Sequence, residues 1–277
     1  MKTNYHSHTI FCDGKNTAEE MALSAIEKNF DIFGFSGHSM FPFGSDWHIQ
    51  PKEMNSYVKE IHTLQKKYED KIKILLGFEA DFIEGFCCPD FDDYKEFSPD
   101  FLIGSVHYIV NQKGQFTVDD SHETTMAGIQ KCFDGNVKKA VQEYFYNERK
   151  MLEKGNFTFA GHLDLFRKQN YRHQIFDEND LWYKKEVKAT AKAIAKSGIC
   201  VEVNTGGMAR GGTDFPYPSP YFLNLLCEYK VPVTINSDTH SSGTLDFWFD
   251  EAVDYIKKAG YTELAHYADG NYFFEKI

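Results

Sequence analysis

The feature that most constrains this chain is where its histidines and carboxylates fall. Short apolar runs, rich in β-branched and aromatic residues, recur along the sequence, and most of them finish in an imidazole or a carboxylate. FDIFGFSGH ends at His38, KILLGFE at Glu79, DFLIGSVH at His107, FTFAGH at His162, and VPVTINSDTH at Asp238 and His240. The chain opens the same way, with His6 and His8 in MKTNYHSH and Asp13 shortly after. Longer stretches with helical periodicity separate these runs, which is the pattern of βα units.

Seven candidate strands follow, at 3–8, 32–38, 72–79, 101–107, 157–162, 199–204 and 231–238. Thr17-Ala-Glu-Glu20 has the form of a capping box, with Met21, Ala22, Ala25 and Ile26 as the apolar face behind it. The helical stretch 177–197 stops before Gly198. The polar segment 111–136 interrupts the alternation as a strand-poor insertion after the fourth strand, either a lid over the site or a decorated loop, with the lid favoured because the insertion directly follows the strand end at His107. No repeat or linker divides the 277 residues, so one α/β domain over 1–277 is expected.

Composition removes several function classes. A formal charge of −11 with lysines and arginines scattered among acids offers no basic track for a nucleic acid. No apolar run is long enough to cross a bilayer and no signal-peptide pattern opens the chain, so a cytoplasmic protein with no membrane partner is expected. The six cysteines lack CxxC or framework spacing, which argues against disulfides and thiolate zinc sites.

In a parallel barrel the strand C-termini converge on one face, so side chains distant in sequence meet there. Residues i and i+2 of a strand share a side, which projects His6 with His8 and Asp238 with His240. The candidate metal ligands are therefore His6, His8, Asp13, His38, Glu79, His107, His162, Asp238 and His240. That donor set is too large for one tetrahedral zinc with an open position and implies two or three ions. Nitrogen and oxygen donors without thiolate suit zinc, manganese or iron. His48, His62, His173 and His266 lack a partner at strand-end spacing and read as structural or surface residues; His122, in the insertion, stays undecided.

These residues resemble the polymerase and histidinol phosphatase (PHP) superfamily, and within it the monofunctional histidinol-phosphate phosphatases. The resemblance is carried by HSHT with CDG from His6 to Gly14, SGH at Ser36 to His38, GFE ending at Glu79 and GSVH ending at His107. It continues through GHLDL from Gly161, EVNTGG from Glu202 with Arg210, and SDTH from Ser237. It implies a distorted (β/α)7 barrel with three divalent metals per chain. By that likeness His6, His8, Glu79 and Asp238 hold one metal, Asp13, His38 and His240 a second, and Glu79, His107 and His162 a third. Two departures concern the surroundings of the ligands: Asn4 stands where many members have aspartate, and Ser36-Gly37-His38 where many have TDH.

The implied activity is hydrolysis of L-histidinol phosphate, a small-molecule monoester, to L-histidinol and phosphate, by attack of a metal-bridging hydroxide on phosphorus. Asp164, Asp238 and His240 are the catalytic candidates, with Asp164 either supporting a ligand or protonating the leaving oxygen. Arg167, Arg210, Ser39 and Asn204 are the candidates for holding phosphate or substrate, arginine because its planar fork donates two bonds while staying charged. Glu202, deeper on its strand, is expected to orient neighbours. Asp119, Asp120, Phe166 and Tyr171 are available for an amine and an imidazole. The rivals are a PHP phosphodiesterase or nuclease, an amidohydrolase-type barrel, whose strand-end lysine is missing here, and a non-catalytic metal-dependent module that binds phosphoryl ligands.

Overall fold

The computed structural model describes residues 1–39 and 45–277. Its strands in chain order are β1 (Thr3–Asn4), β2 (Ile32–Ser39), β3 (Lys73–Asp81), β4 (Phe101–Ser105), β5 (Tyr108–Asn111), β6 (Gly114–Thr117), β7 (Phe159–Ala160), β8 (Cys200–Asn204), β9 (Val233–Asn236), β10 (Glu263–Ala268) and β11 (Asn271–Lys276). Seven of them form one parallel sheet in the order β1-β2-β3-β4-β7-β8-β9. The sheet curls until its ends meet at a parallel bridge between Ser7 and Thr239, with His8 N donating to Thr239 O at 2.8 Å. The expected seven-stranded (β/α) barrel is thus present, every anticipated strand appearing within a few residues of its expected limits.

Local chemistry accounts for the helices around it. The capping box at Thr17 closes as expected, its side chain accepting from Glu20 N while the Glu20 carboxylate accepts from Thr17 N, and starts Ala18–Glu27. The later helix begins at Leu181, with Asp180 preceding it and accepting from Trp182 Nε1 at 2.8 Å. It ends at Ser197, with Gly198 left-handed at φ 75°.

Segment 111–136 departs from the strand-poor expectation. β5 and β6 pair antiparallel around a tight turn at Gly114, and a helix follows over His122–Phe133. Ile109, Phe116 and Val118 bury themselves against Ile129 of that helix, an alternation masked by the polar residues between them.

Beneath the strand ends the barrel is filled by Tyr5, Phe101, Ile103 and Phe159, with Tyr5 stacked on Phe159 at 4.8 Å. The β10–β11 hairpin packs against this layer from below; Tyr267 N donates to Tyr5 Oη at 2.7 Å. The Phe101 ring fits only because β2 and β3 present glycines: a Cβ on Gly77 would lie 2.4 Å from it, and one on Gly34 2.7 Å. Gly77→Ala should therefore cost about 1–3 kcal/mol by overpacking, read as a lower denaturation midpoint with unchanged slope. An unchanged midpoint would show that the ring can move aside.

Candidate metal centre

All nine expected ligands converge at the C-terminal end of the barrel. Among the described residues, four overlapping groups place donor atoms within 4.8 Å of one another: His8, Asp13, His38 and His240; His6, His8 and Asp238; His6, Glu79 and His162; and His38, Glu79 and His107. Glu79 belongs to two of them. Its oxygens lie 2.8 Å from His162 Nε2, 2.8 Å from His38 Nδ1, 3.0 Å from His6 Nε2, 3.4 Å from His107 Nε2 and 3.6 Å from His8 Nε2. Strand register explains the focus, since His38 on β2 is directly opposite Glu79 on β3.

Such a cluster is under electrostatic tension. Burial would raise the Glu79 pKa, but His6, His38 and His107 and the bond from His162 hold it well below the usual carboxylate range. Burial lowers His6, and Glu202, Glu79 and Asp238 more than reverse this. His8 goes the other way, driven down by burial and by His240 and His38, whose rings stack on it at 4.1 and 4.2 Å.

The hydrogen-bonding record fits divalent metal. His6 Nε2, His8 Nε2, His38 Nδ1 and Glu79 Oε2 are buried and make no hydrogen bond, although uncompensated buried polar atoms are costly. These donors face one another, as ligands do around a cation. No cysteine joins the groups.

Around the ligands lies a set of partners that fixes their orientation. Glu202, fully buried, accepts from His6 Nδ1 at 2.9 Å, His162 N at 2.7 Å, Asn204 Nδ2 at 2.7 Å and Asn236 Nδ2 at 2.8 Å. Asp81 accepts from His107 Nδ1 at 2.8 Å. Sequence reasoning passed over Asp81, although its place two residues after Glu79 on the same strand puts it on the same side. Asn4 uses both ends of its amide, donating to Ser237 Oγ at 2.7 Å and accepting from Ser237 N at 3.1 Å and His6 N at 3.2 Å.

A cavity of about 360 Å³ opens above the cluster, lined by Asp13, His38, His107, His162, Asp238 and His240 together with Trp47, Thr117, Asp119, Asp120, Leu165, Lys168 and Arg210. Arg210 lines it. It donates from Nη2 to Asp238 Oδ2 at 2.9 Å and from Nη1 to His240 Nδ1 at 2.9 Å. The Gly206 backbone comes so close that a Cβ there would lie 2.7 Å from that of Asp238. The insertion supplies Thr117, Asp119 and Asp120, whose backbone is held by Gln169 Nε2 donating to Val118 O and Asp120 O, each at 3.0 Å.

Other expected site residues are placed elsewhere. Arg167 does not line the cavity: it turns into the protein, donates to Glu178 at 2.8 Å and lies 4.1 Å over the Phe215 ring. The next residue, Lys168, on the short helical turn Leu165–Gln169, lines the cavity instead, its Nζ 3.8 Å from Asp119 Oδ2. Asp164 is also buried away from it, accepting from Ser219 N at 2.9 Å. Ser39 hydrogen-bonds Tyr94 Oη at 2.9 Å, and Asn204 is spent on Glu202 and Gly206 N. Phe166 is in the core, Tyr171 packs beside Phe215, and His122 stacks on His173 at 3.7 Å.

Two measurements follow. Glu202→Gln removes an acceptor from a fully subscribed carboxylate and should lower metal affinity about 10–100-fold, read as metal retained against a chelator. Glu148, behind Asp164, is pushed up to about 8 by burial, partly opposed by the Tyr144 hydroxyl. The folded chain thus keeps a proton that the unfolded chain releases near 4.5, so this residue makes stability fall as pH rises from about 4.5 to about 8. Glu148→Gln should flatten that slope in thermal unfolding across the interval; an unchanged slope would remove Glu148 as its source.

Comparison with known proteins agrees with this architecture. The chain is 27% identical to the histidinol-phosphatase of Lactococcus lactis, over 96% of this chain and 94% of that one. It is 23% identical to the histidinol-phosphatase of Bacillus subtilis, over 90% and 97% respectively. The crystal structure of the Lactococcus lactis histidinol phosphate phosphatase, complexed with zinc, L-histidinol and phosphate, superposes with a TM-score of 0.73 at 23% identity, covering 98% of both chains. The PHP domain profile matches residues 4–206, well over half of the sequence, and the chain belongs to the PHP domain family.

Proposed function

We propose that this chain is a metal-dependent phosphomonoesterase that hydrolyses L-histidinol phosphate to L-histidinol and inorganic phosphate, with up to three divalent ions at the barrel mouth. The observation that carries the reading is the mixed chemistry of one cavity. The ligand groups open into it beside Arg210 and Lys168, the carboxylates Asp119 and Asp120, and the Trp47 ring, with Lys168 Nζ 3.8 Å from Asp119 Oδ2. A substrate that carries a phosphate, a cationic amine and an aromatic ring matches that set of groups. The names of the Lactococcus and Bacillus relatives support the same substrate.

The residues that would hold metal are those of the four groups. When bound, divalent ions acidify water and neutralise charge near a phosphoryl group. The chain's own side chains supply the rest. Arg210, fixed by Asp238 and His240, presents its remaining N–H groups toward phosphoryl oxygens, and Lys168 adds a second positive charge. Asp119 and Asp120 offer carboxylates to the ammonium group, and Trp47, beside His38 and His107, offers a flat apolar wall for the imidazole. The departing alkoxide requires a proton. Of the three residues expected to act in catalysis, Asp238 and His240 border the cavity, whereas Asp164 does not.

The phosphodiesterase alternative is disfavoured by Asp119 and Asp120, cavity carboxylates that would repel the backbone of a nucleic acid strand. The test is phosphate release from L-histidinol phosphate by protein of known metal content, beside an aryl phosphate and an aryl diester. Preference for the histidinol ester, abolished by chelation, is expected; preference for the diester overturns the assignment. Arg210→Ala should raise KM for the monoester about tenfold, corresponding to one lost charge-assisted contact.

A further inference from the structure

We propose that His48 is a positioning residue for the metal centre, holding the ligand His107 through Asp81 and joining it to the Trp47 wall of the cavity. His48 is 2% exposed and its Nε2 lies 2.9 Å from Asp81 Oδ2. The other oxygen of the same carboxylate takes His107 Nδ1 at 2.8 Å and His107 N at 3.3 Å. His107 Nε2 is thereby turned toward Glu79 and His162, at 3.4 and 3.2 Å.

The bonds determine where the protons are. With His107 Nε2 directed at the ligand group, its Nδ1 carries the hydrogen that Asp81 accepts. The other Asp81 oxygen, buried, accepts from His48, so the His48 hydrogen is on Nε2. His48 Nδ1 then accepts from the Ser45 hydroxyl, 2.5 Å away. Ser45, His48, Asp81 and His107 form one directed chain in which each member settles the orientation of the next. A ligating imidazole backed by a carboxylate is a common way to fix a ring; here a second imidazole holds the carboxylate. Without His48, Asp81 would keep a buried lone pair unpaired and could rotate away from His107.

The chain also reaches the substrate side. Trp47 packs on the His48 ring at 3.7 Å, is parallel to Tyr108 at 5.7 Å and meets His107 and His38 edge-on at 5.5 and 4.8 Å. His48 therefore seats the cavity wall and the ligand support from one position.

The inference rests on metal binding by the cluster and not on the substrate, so its test reads metal retention in the full chain. With zinc-loaded protein, His48→Leu should lower the chelator concentration that strips half the metal about tenfold, and His48→Gln, whose amide can still donate to Asp81, should recover to within about threefold of the parent. Retention in His48→Leu equal to the parent overturns the proposal, as does a His48→Gln variant no better than His48→Leu, which marks a packing role. Should His48→Leu fail to fold, Ser45→Ala decides: about threefold weaker retention is expected, and unchanged retention overturns the proposal. A parent protein that takes up no zinc, manganese or iron overturns both this inference and the proposed function, whereas a metal-loaded parent with unaffected variants overturns this inference alone.

Discussion

The upper half of the barrel depends on the satisfaction of one buried carboxylate. Glu202 has about four lone-pair positions, and four donors fill them: the His6 imidazole, the His162 backbone N–H and the amides of Asn204 and Asn236. Those donors belong to the ends of β1, β7, β8 and β9, so one side chain ties together the strands that bring most of the ligands into range. The cost of burying the charge is offset only when all four are present. Asn204 and Asn236 are therefore as much part of the centre as the ligands, although neither need touch a metal.

Below this polar layer the barrel changes character within one turn of side chains. Tyr5, Phe101, Ile103 and Phe159 form an apolar floor, and glycines on β2 and β3 make room for the Phe101 ring. The floor keeps water from the ligands on the lower side and gives their strands a rigid base, so access is restricted to the cavity above. Charge interactions are strong over a low-dielectric base, and the neighbours set their sign: carboxylates around His6 and imidazoles beside His8 displace the two in opposite directions although they are two residues apart.

Strands and the convergence of the candidate ligands were legible in the sequence because each depends on local pattern: an apolar run, a period of two, a terminal imidazole. Residues whose role depends on the direction of a side chain after a turn were not. Arg167 and Lys168 are adjacent cations after the same strand, and only the helical turn at Leu165–Gln169 shows that Lys168 lines the cavity while Arg167 pairs with Glu178. Asp164 looked equally suited to catalysis, yet its carboxylate is engaged by Ser219 N in forming a helix start. His48 read as a structural residue because its partner, Asp81, is on a distant strand.

The seam of the barrel has a consequence of its own. The first and last barrel strands meet through the bridge between Ser7 and Thr239, with Asn4 bonded to Ser237 and Lys15 N to His240 O beside it. His6, His8, Asp238 and His240 flank that join, so donors contributed by opposite ends of the fold are shared between ligand groups across it. A cation held there would act as a clasp as well as a reagent, resisting the separation of the two edges by the free energy of its own binding. Closing the cylinder and assembling the reactive centre then become one thermodynamic event, and a chain stripped of its ions is the one most ready to unroll.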